Sequence, residues 1–214
     1  LILIRHGETN WNLEGRFQGQ IDIPLNQNGQ AQAIAAAKFL RHIKIDKAYS
    51  SSMTRPKQTA KLILKEHSEV PLIETKDLVE INHGEWEGKL ESEIQVNWPE
   101  LLEDWKKTPE KVQMPKGETI QQVWERSVKG WEKICSSLGH HETAIVVAHD
   151  AVNKTILCHL LGLTPSDIWM VKQGNGGVSV IDLNPTSNQP GVVACLNNTS
   201  HLGGVIDKTA TGAL

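Results

Sequence analysis

Apolar and polar positions fall along the chain in alternating blocks that predict an α/β fold. Residues 1–4 are apolar and break abruptly into Arg5-His6-Gly7-Glu8-Thr9, as a buried strand does when it ends in a polar loop. Asn26 and Asn28-Gly29 punctuate the chain before an Ala-rich stretch, 31–40, that reads as helix. Residues 47–51 predict a second strand and 54–65 a second helix, with Pro56 tolerated in its first turn. Gly117-Glu118-Thr119 opens an amphipathic helix reaching about residue 138, with Val123, Val128, Trp131, Ile134 and Leu138 near helical spacing. A strongly apolar strand, 143–148, ends at His149-Asp150, and a helix over 151–161 follows. Residues 178–182 and 192–196 supply two further strands. Alternation on this scale predicts a three-layer α/β sandwich with a largely parallel central sheet and helices on both faces.

One stretch breaks the rhythm. After Leu78-Val79-Glu80 the chain carries Trp86, Trp98 and Trp105 with Pro99, Pro109 and Pro115, an excursion over about 84–117 that is the candidate helical lid. From Asn197 onwards Gly, Thr and Asn dominate, which suits either a flap or a frayed end. A length of 214 residues supports one sizeable core, so residues 1–214 read as a single domain. The 22 basic and 25 acidic side chains give a net charge of −3 without a basic block, which argues against nucleic acid or an anionic membrane as partner. No apolar run approaches the roughly 20 residues that cross a bilayer, and nothing resembles a cleavable leader. Cys135, Cys158 and Cys195 are odd in number and far apart, as expected of reduced thiols in the cytoplasm. The chain starts at Leu1, which leaves a targeting segment upstream, and hence a plastid stroma, open.

The chemistry sits where strands end. Ile2-Leu3-Ile4-Arg5-His6-Gly7 and Val146-Val147-Ala148-His149-Asp150 share one grammar, an apolar strand followed at once by histidine. Parallel strands bring both imidazoles to one sheet edge, the edge at which α/β proteins bind ligands. Histidine can attack phosphorus or bind a phosphoryl oxygen, and Arg5 and Arg55 offer planar donor forks suited to phosphate. Asn12 and Gln18 add neutral donors. Taken singly, each of these residues has an ordinary reading: a hydrogen-bonded histidine, a surface ion pair, a solvated carboxylate. Their joint pattern favours a shared site. His83 reads equally as pocket lining or as part of a turn. The pair His140-His141 follows a helix end, where imidazolium suits the dipole. The tryptophans read as packing, with Trp86 and Trp105 the nearest to a substrate role.

These motifs resemble the histidine phosphatase superfamily, also called phosphoglycerate mutase-like. The matching pieces run in the family's order: Arg5-His6-Gly7-Glu8-Thr9 with Asn12, Gly15-Arg16-Phe17-Gln18-Gly19-Gln20 through Leu25 with Gly29, and Ser51-Ser52-Met53-Thr54-Arg55 with Gln58-Thr59-Ala60. Leu78-Val79-Glu80 through Gly88, Gly117-Glu118-Thr119 and Ala148-His149 complete the set. The resemblance implies a phosphoglycerate mutase-like fold and His6 as nucleophile. It implies a phosphate pocket of Arg5, Asn12, Gln18, Gly19, Arg55 and His149, and Glu80 as proton donor. Glu85 and Glu87 lie near enough to compete for that last role. It implies no metal and no cofactor, since the arginines and histidines supply the positive charge that magnesium would bring. The chain departs from the common family pattern after the second histidine, where Asp150-Ala151 stand in place of two glycines. The Asp150 N–H is expected to face the phosphate, and its carboxylate to turn away. The stretches 148–153 and 174–180 look most like plant and cyanobacterial members acting on sugar phosphates, including 2-carboxyarabinitol 1-phosphate phosphatase.

The function so implied is hydrolysis of a small phosphorylated metabolite through a phosphohistidine. A phosphoglycerate mutase would use the same intermediate. The compact segment from Gly88 to Gly117, poor in extra basic residues, favours hydrolysis. A non-catalytic phospho-ligand module is the reading from a different class, but simple binding has no use for an acid at Glu80. A homodimer across an edge strand suits an enzyme of this size.

Overall fold

The computed structural model describes residues 1–67, 69–183 and 191–204. In chain order its elements are β1 (Ile2–Arg5), α1 (Asn10–Glu14), α2 (Gln27–Leu40), β2 (Lys47–Ser51), α3 (Thr54–Ile63) and β3 (Leu72–Thr75). Then come α4 (Glu91–Asn97), α5 (Pro99–Lys107), α6 (Ile120–Ser136), β4 (Ala144–Ala148), α7 (Asp150–Leu160), β5 (Val178–Asp182) and β6 (Val192–Asn198). The strands form one sheet in the order β3-β2-β4-β1-β5-β6. The first four are parallel, in register Ile2 with Ile145 and Ala48 with both Ile145 and Leu72.

The sheet is thus mostly parallel, as expected, but β5 runs antiparallel to β1 and β6 antiparallel to β5. α7 carries the chain back from the end of β4, but a 3₁₀ turn, Pro165–Met170, and a loop then return it to the end of β1, where Gly176 and Gly177 bond the Arg5 backbone, so β5 starts from that edge. A parallel strand would have to start from the opposite edge. β3, with no strong sequence signal, lies half exposed at the opposite edge.

Side-chain alternation along the central strands builds two cores. Ile2, Ile4, Ile145 and Val147 point to one face with Ala36, Ala37 and Leu40 of α2 and Ala60 and Ile63 of α3. Leu3, Val146 and Ala148 point to the other, where Val123, Trp131 and Ile134 of α6 and Val152, Ile156 and Leu157 of α7 cover them. That is the three-layer sandwich. The excursion is helical, and Trp86, Ile94, Leu102, Trp105, Val112 and Met114 join this second core.

Local signals explain the boundaries. α2 begins earlier than its alanines suggest because the Asn26 side chain caps it, accepting the Gly29 N–H at 2.8 Å. α6 starts from a capping box of Thr119 and Gln122. α3 stops at Ile63 and tightens into a 3₁₀ turn, Leu64–Glu66. The flap expected from Asn197 is ordered at first: Asn197 and Asn198 end β6 and a 3₁₀ turn, Ser200–Leu202, follows, with His201 stacked on Phe39 of α2. Its remainder lies outside the described residues. Among those described, no helix is long and apolar enough to cross a membrane, and all three cysteines are free.

Candidate active site

β1 and β4 are direct neighbours in the sheet and both end at the same edge, which brings His6 and His149 together. Their rings meet edge to face with centroids 5.1 Å apart. The Nδ1 of His6 contacts the Gly7 carbonyl at 2.7 Å, and Arg55 Nε donates to His6 Nε2 at 3.2 Å. A carbonyl can only accept, so Nδ1 carries the proton and Nε2 holds the lone pair. Burial, then the Arg55 and Arg5 guanidiniums, hold the His6 imidazole well below its ordinary pKa, so the ring is neutral.

Arg55 lies in the first turn of α3 and is almost wholly buried. The carbonyls of Gly19 and Ile21 hold its two terminal nitrogens at 2.8 and 3.1 Å, and burial lowers its pKa to about 10. Gly19, expected at the phosphate, therefore acts here through its carbonyl. Arg5 donates to the Gln173 carbonyl at 2.6 Å and pairs with Asp150 Oδ1 at 3.2 Å. Its Nε has no partner among the described residues.

The two amides are oriented by their oxygens. Gln18 Oε1 accepts from the Thr9 hydroxyl at 2.9 Å, while Asn12 Oδ1 accepts from the Thr9 backbone and from Asn175 Nδ2. Each therefore offers its NH₂ group to a ligand. His149 Nε2 lies 2.9 Å from Ser51 Oγ, the last residue of β2. Its Nδ1 is buried without a partner among the described residues. Burial first, then Arg55, lowers its pKa well below the ordinary value.

Glu80 closes the site. Its carboxylate is buried and accepts the N–H of Ile81 through Oε1 and the N–H of Asp150 through Oε2, both at 3.0 Å. Burial, then the negative charge of Asp150, raises its pKa, partly opposed by Arg55 and Arg5. The Asp150 N–H thus serves Glu80 in this structure, and the Asp150 carboxylate is turned to Arg5 and to Lys154 Nζ at 2.8 Å. The rival carboxylates are engaged elsewhere, although Glu87 lies near Gly19 and Arg55 and burial raises its pKa as well. Glu85 pairs with Lys116 at the surface, and Glu87 accepts the backbone N–H groups of Gln20 and His83.

His83 is buried between Phe17 and Trp105, neither ring nitrogen has a partner among the described residues, and burial drives its pKa down to about 3. It is neutral packing in this arrangement. Trp86 and Trp105 are likewise buried in the core, and His140 and His141 are exposed. Among the described residues no group of three or more His, Cys, Asp or Glu side chains is placed to hold a metal ion.

Several supporting residues, some of them inside the matching motifs, carry no signal in the sequence of the contact each makes. Arg126 of α6 donates to the carbonyls of Asp77, Val79 and Glu80 and forks onto Glu118, fixing the loop that bears Glu80. Asn175 donates to the His6 carbonyl at 3.2 Å, and Thr59 accepts the Gly7 N–H at 3.1 Å. Only the glycine-rich context of Asn175, 174–177, marks its loop as one that wraps a strand end.

The profile of the histidine phosphatase superfamily (branch 1) matches residues 1–198. Phosphoserine phosphatase 1 of Hydrogenobacter thermophilus is 36% identical over 203 residues, spanning 95% of this chain and 94% of that protein. The 2-carboxy-D-arabinitol-1-phosphatase of Triticum aestivum is 31% identical over 92% of this chain, which corresponds to 39% of that longer protein. Among solved structures, Bacillus stearothermophilus YhfR superposes with a TM-score of 0.87 at 28% identity, covering 94% of this chain and 98% of its own.

Proposed function

The chain belongs to the histidine phosphatase superfamily, and from that premise we propose that it hydrolyses the phosphomonoester of a small metabolite, without a metal, through a phosphohistidine on His6. The observation that carries this reading is the neutral His6 with its proton fixed on Nδ1 and its Nε2 lone pair set among Arg55 and His149.

In the first half-reaction Nε2 forms a bond to phosphorus as the ester P–O bond breaks. Protonated Glu80 gives its proton to the departing oxygen, so the alcohol leaves neutral. Arg5, Arg55, His149 and the amides of Asn12 and Gln18 spread the charge of the moving phosphoryl group. In the second half, ionised Glu80 takes a proton from water, the hydroxyl oxygen bonds to phosphorus, and the P–N bond breaks. His6 is regenerated and Glu80 is again protonated. The raised pKa of Glu80 supports the acid role, and the small phosphorylated compounds in the names of the two sequence relatives support the substrate class.

The test is phosphate release from sugar phosphates, phosphoserine and phosphoglycerates in excess EDTA, with product isomers followed alongside. Release that survives EDTA and is abolished by His6→Ala is expected, with Glu80→Gln slowed about 10²- to 10⁴-fold on alcohol leaving groups. Isomerisation outpacing release would make the enzyme a mutase. Equal activity of His6→Ala and wild type would refute the reading.

A further inference from the structure

Asp150 touches the two halves of the proposed chemistry at once. Its backbone N–H donates to Glu80 Oε2 at 3.0 Å, and its carboxylate pairs with Arg5 Nη1 at 3.2 Å. Behind it, Lys154 one turn further along α7 reaches the other carboxylate oxygen at 2.8 Å and lies over the Trp169 ring, 4.7 Å from its centroid. Trp169 is itself tied to the excursion, its Nε1 donating to the Trp105 carbonyl at 3.0 Å. Asp150 and Lys154 are both buried. A buried ion pair of this kind is costly to form, and leaving either partner alone costs more.

We propose that Asp150 is a positioning residue that couples the phosphate-binding Arg5 to the proton donor Glu80 and keeps that donor loaded with its proton. The proposal rests on the phosphatase reading above. Electrostatics give the direction. Facing Glu80 are Arg55 from α3, Arg5 from β1 and Asp150 from α7, while Arg126 of α6 holds its backbone carbonyl. His6 and His149 are neutral in this arrangement. Asp150 is therefore the one negative group among those named: burial raises the Glu80 pKa first, Asp150 raises it further, and the two guanidiniums act in the opposite direction. Asp150 also restrains Arg5 from pairing with the Glu80 carboxylate, because Arg5 already has a carboxylate of its own.

Asp150→Asn keeps the backbone donor and the side-chain shape and removes the charge. With Glu80 required in its protonated form, its pKa sets the alkaline limb of the kcat/KM profile. Loss of the neighbouring negative charge stabilises ionised Glu80, so that limb is expected to move to lower pH by about 1 unit. Asp150→Asn/Lys154→Met removes both members of the buried pair, keeps its charge balanced, and is expected to move the limb the same way. The experiment is the pH dependence of kcat/KM on phosphoserine, or on the alkyl phosphate of the panel that turns over fastest, for wild type, both variants and His6→Ala. A limb moved to lower pH in whichever variants fold supports the coupling. Unmoved limbs with activity lowered equally at every pH overturn it and leave the phosphatase reading standing, provided His6→Ala is inactive. If His6→Ala matches wild type, the phosphatase reading fails and the coupling falls with it.

Discussion

Arg126 holds Glu80 by its backbone: the guanidinium Nη2 donates to the Glu80 carbonyl at 3.0 Å while the same side chain forks onto Glu118. The position of Glu80, the proposed proton donor, is thus set from α6. Further bonds to the Asp77 and Val79 carbonyls make Arg126 a clamp on the whole turn. Arg126→Met is expected to lower kcat about tenfold with KM nearly unchanged, since the phosphate groups stay in place. It should also cost about 2–4 kcal/mol of stability, because charge-assisted hydrogen bonds to backbone carbonyls are worth roughly 1.5–3 kcal/mol each and the loss is only partly recovered by water. Steady-state kinetics beside a thermal melt check both parts, and an unchanged kcat would detach Arg126 from the acid.

Ser51 Oγ is the hydrogen-bond partner of His149 Nε2, at 2.9 Å, and itself accepts the Met53 N–H at 3.4 Å. With the hydroxyl as donor to Nε2, the ring's hydrogen sits on Nδ1, where it would face a phosphoryl oxygen in the proposed reaction. Ser51→Ala removes that partner. An approximately tenfold loss in kcat/KM is expected with the fold intact, equivalent to about 1.4 kcal/mol of transition-state stabilisation. Nitrogen-15 shifts of the imidazole report the tautomer directly: a His149 signal that stays the same in Ser51→Ala would remove Ser51 from the mechanism.

The sequence already showed His6 and His149, because an apolar strand that ends on a histidine is a local pattern and two such patterns imply one sheet edge. Arg5 followed from the same pattern and Arg55 from the start of a predicted helix. Glu80 was identified only through the family resemblance, since a carboxylate in a loop looks the same whether it is solvated or buried. Arg126 was hidden because a single polar residue on an amphipathic helix changes no periodicity, and Ser51, though part of the Ser51-Ser52-Met53-Thr54-Arg55 motif, carried no sign of a role of its own. The antiparallel course of β5 and β6 was hidden for a related reason: alternation marks a strand without marking its direction. The Asp150 N–H illustrates a further limit, since which acceptor it finds depends on a loop remote in sequence, the one bearing Glu80.

The two titrating groups of the proposed reaction are displaced toward each other's ordinary range, the histidine downward and the carboxylic acid upward. His6 must be unprotonated to attack, and burial with Arg55 and Arg5 puts its pKa well below the ordinary 6.5. Glu80 must be protonated to serve the leaving group, and burial with Asp150 puts its pKa above the ordinary 4.5. The acid limb therefore lies well below pH 6.5 and the alkaline limb above pH 4.5, and each shift widens the pH range over which its group holds the form the reaction needs. Activity on an alkyl phosphate is expected to persist into mildly acidic buffer and to fall as pH rises through the Glu80 pKa. With p-nitrophenyl phosphate, whose leaving group needs no proton, that alkaline fall should weaken. A profile with the same alkaline limb for both substrates would assign the limb to a group other than Glu80.

Gly7 follows His6 and has no room for a side chain. A Cβ there would lie 2.3 Å from the Gly29 carbonyl oxygen and 2.9 Å from the Gly29 Cα, so the strand-end loop and the first turn of α2 approach backbone to backbone. No flexible side chain can give way. Gly7→Ala is expected to cost about 3 kcal/mol or more, on the scale of overpacking a rigid contact, and to lower Tm by roughly 6–12 °C for a chain of this size. Gly15 makes the informative contrast: its φ of +73° is left-handed, yet an added Cβ meets nothing within 4 Å. Gly15→Ala should therefore cost only the conformational penalty of about 1–2 kcal/mol, a fall of roughly 2–8 °C. Melting curves of the two variants separate steric contact from backbone strain. Equal losses would mean that the loop at Gly7 relaxes away from α2, and His6, one residue before it, would then be held less tightly than its contact with the Gly7 carbonyl implies.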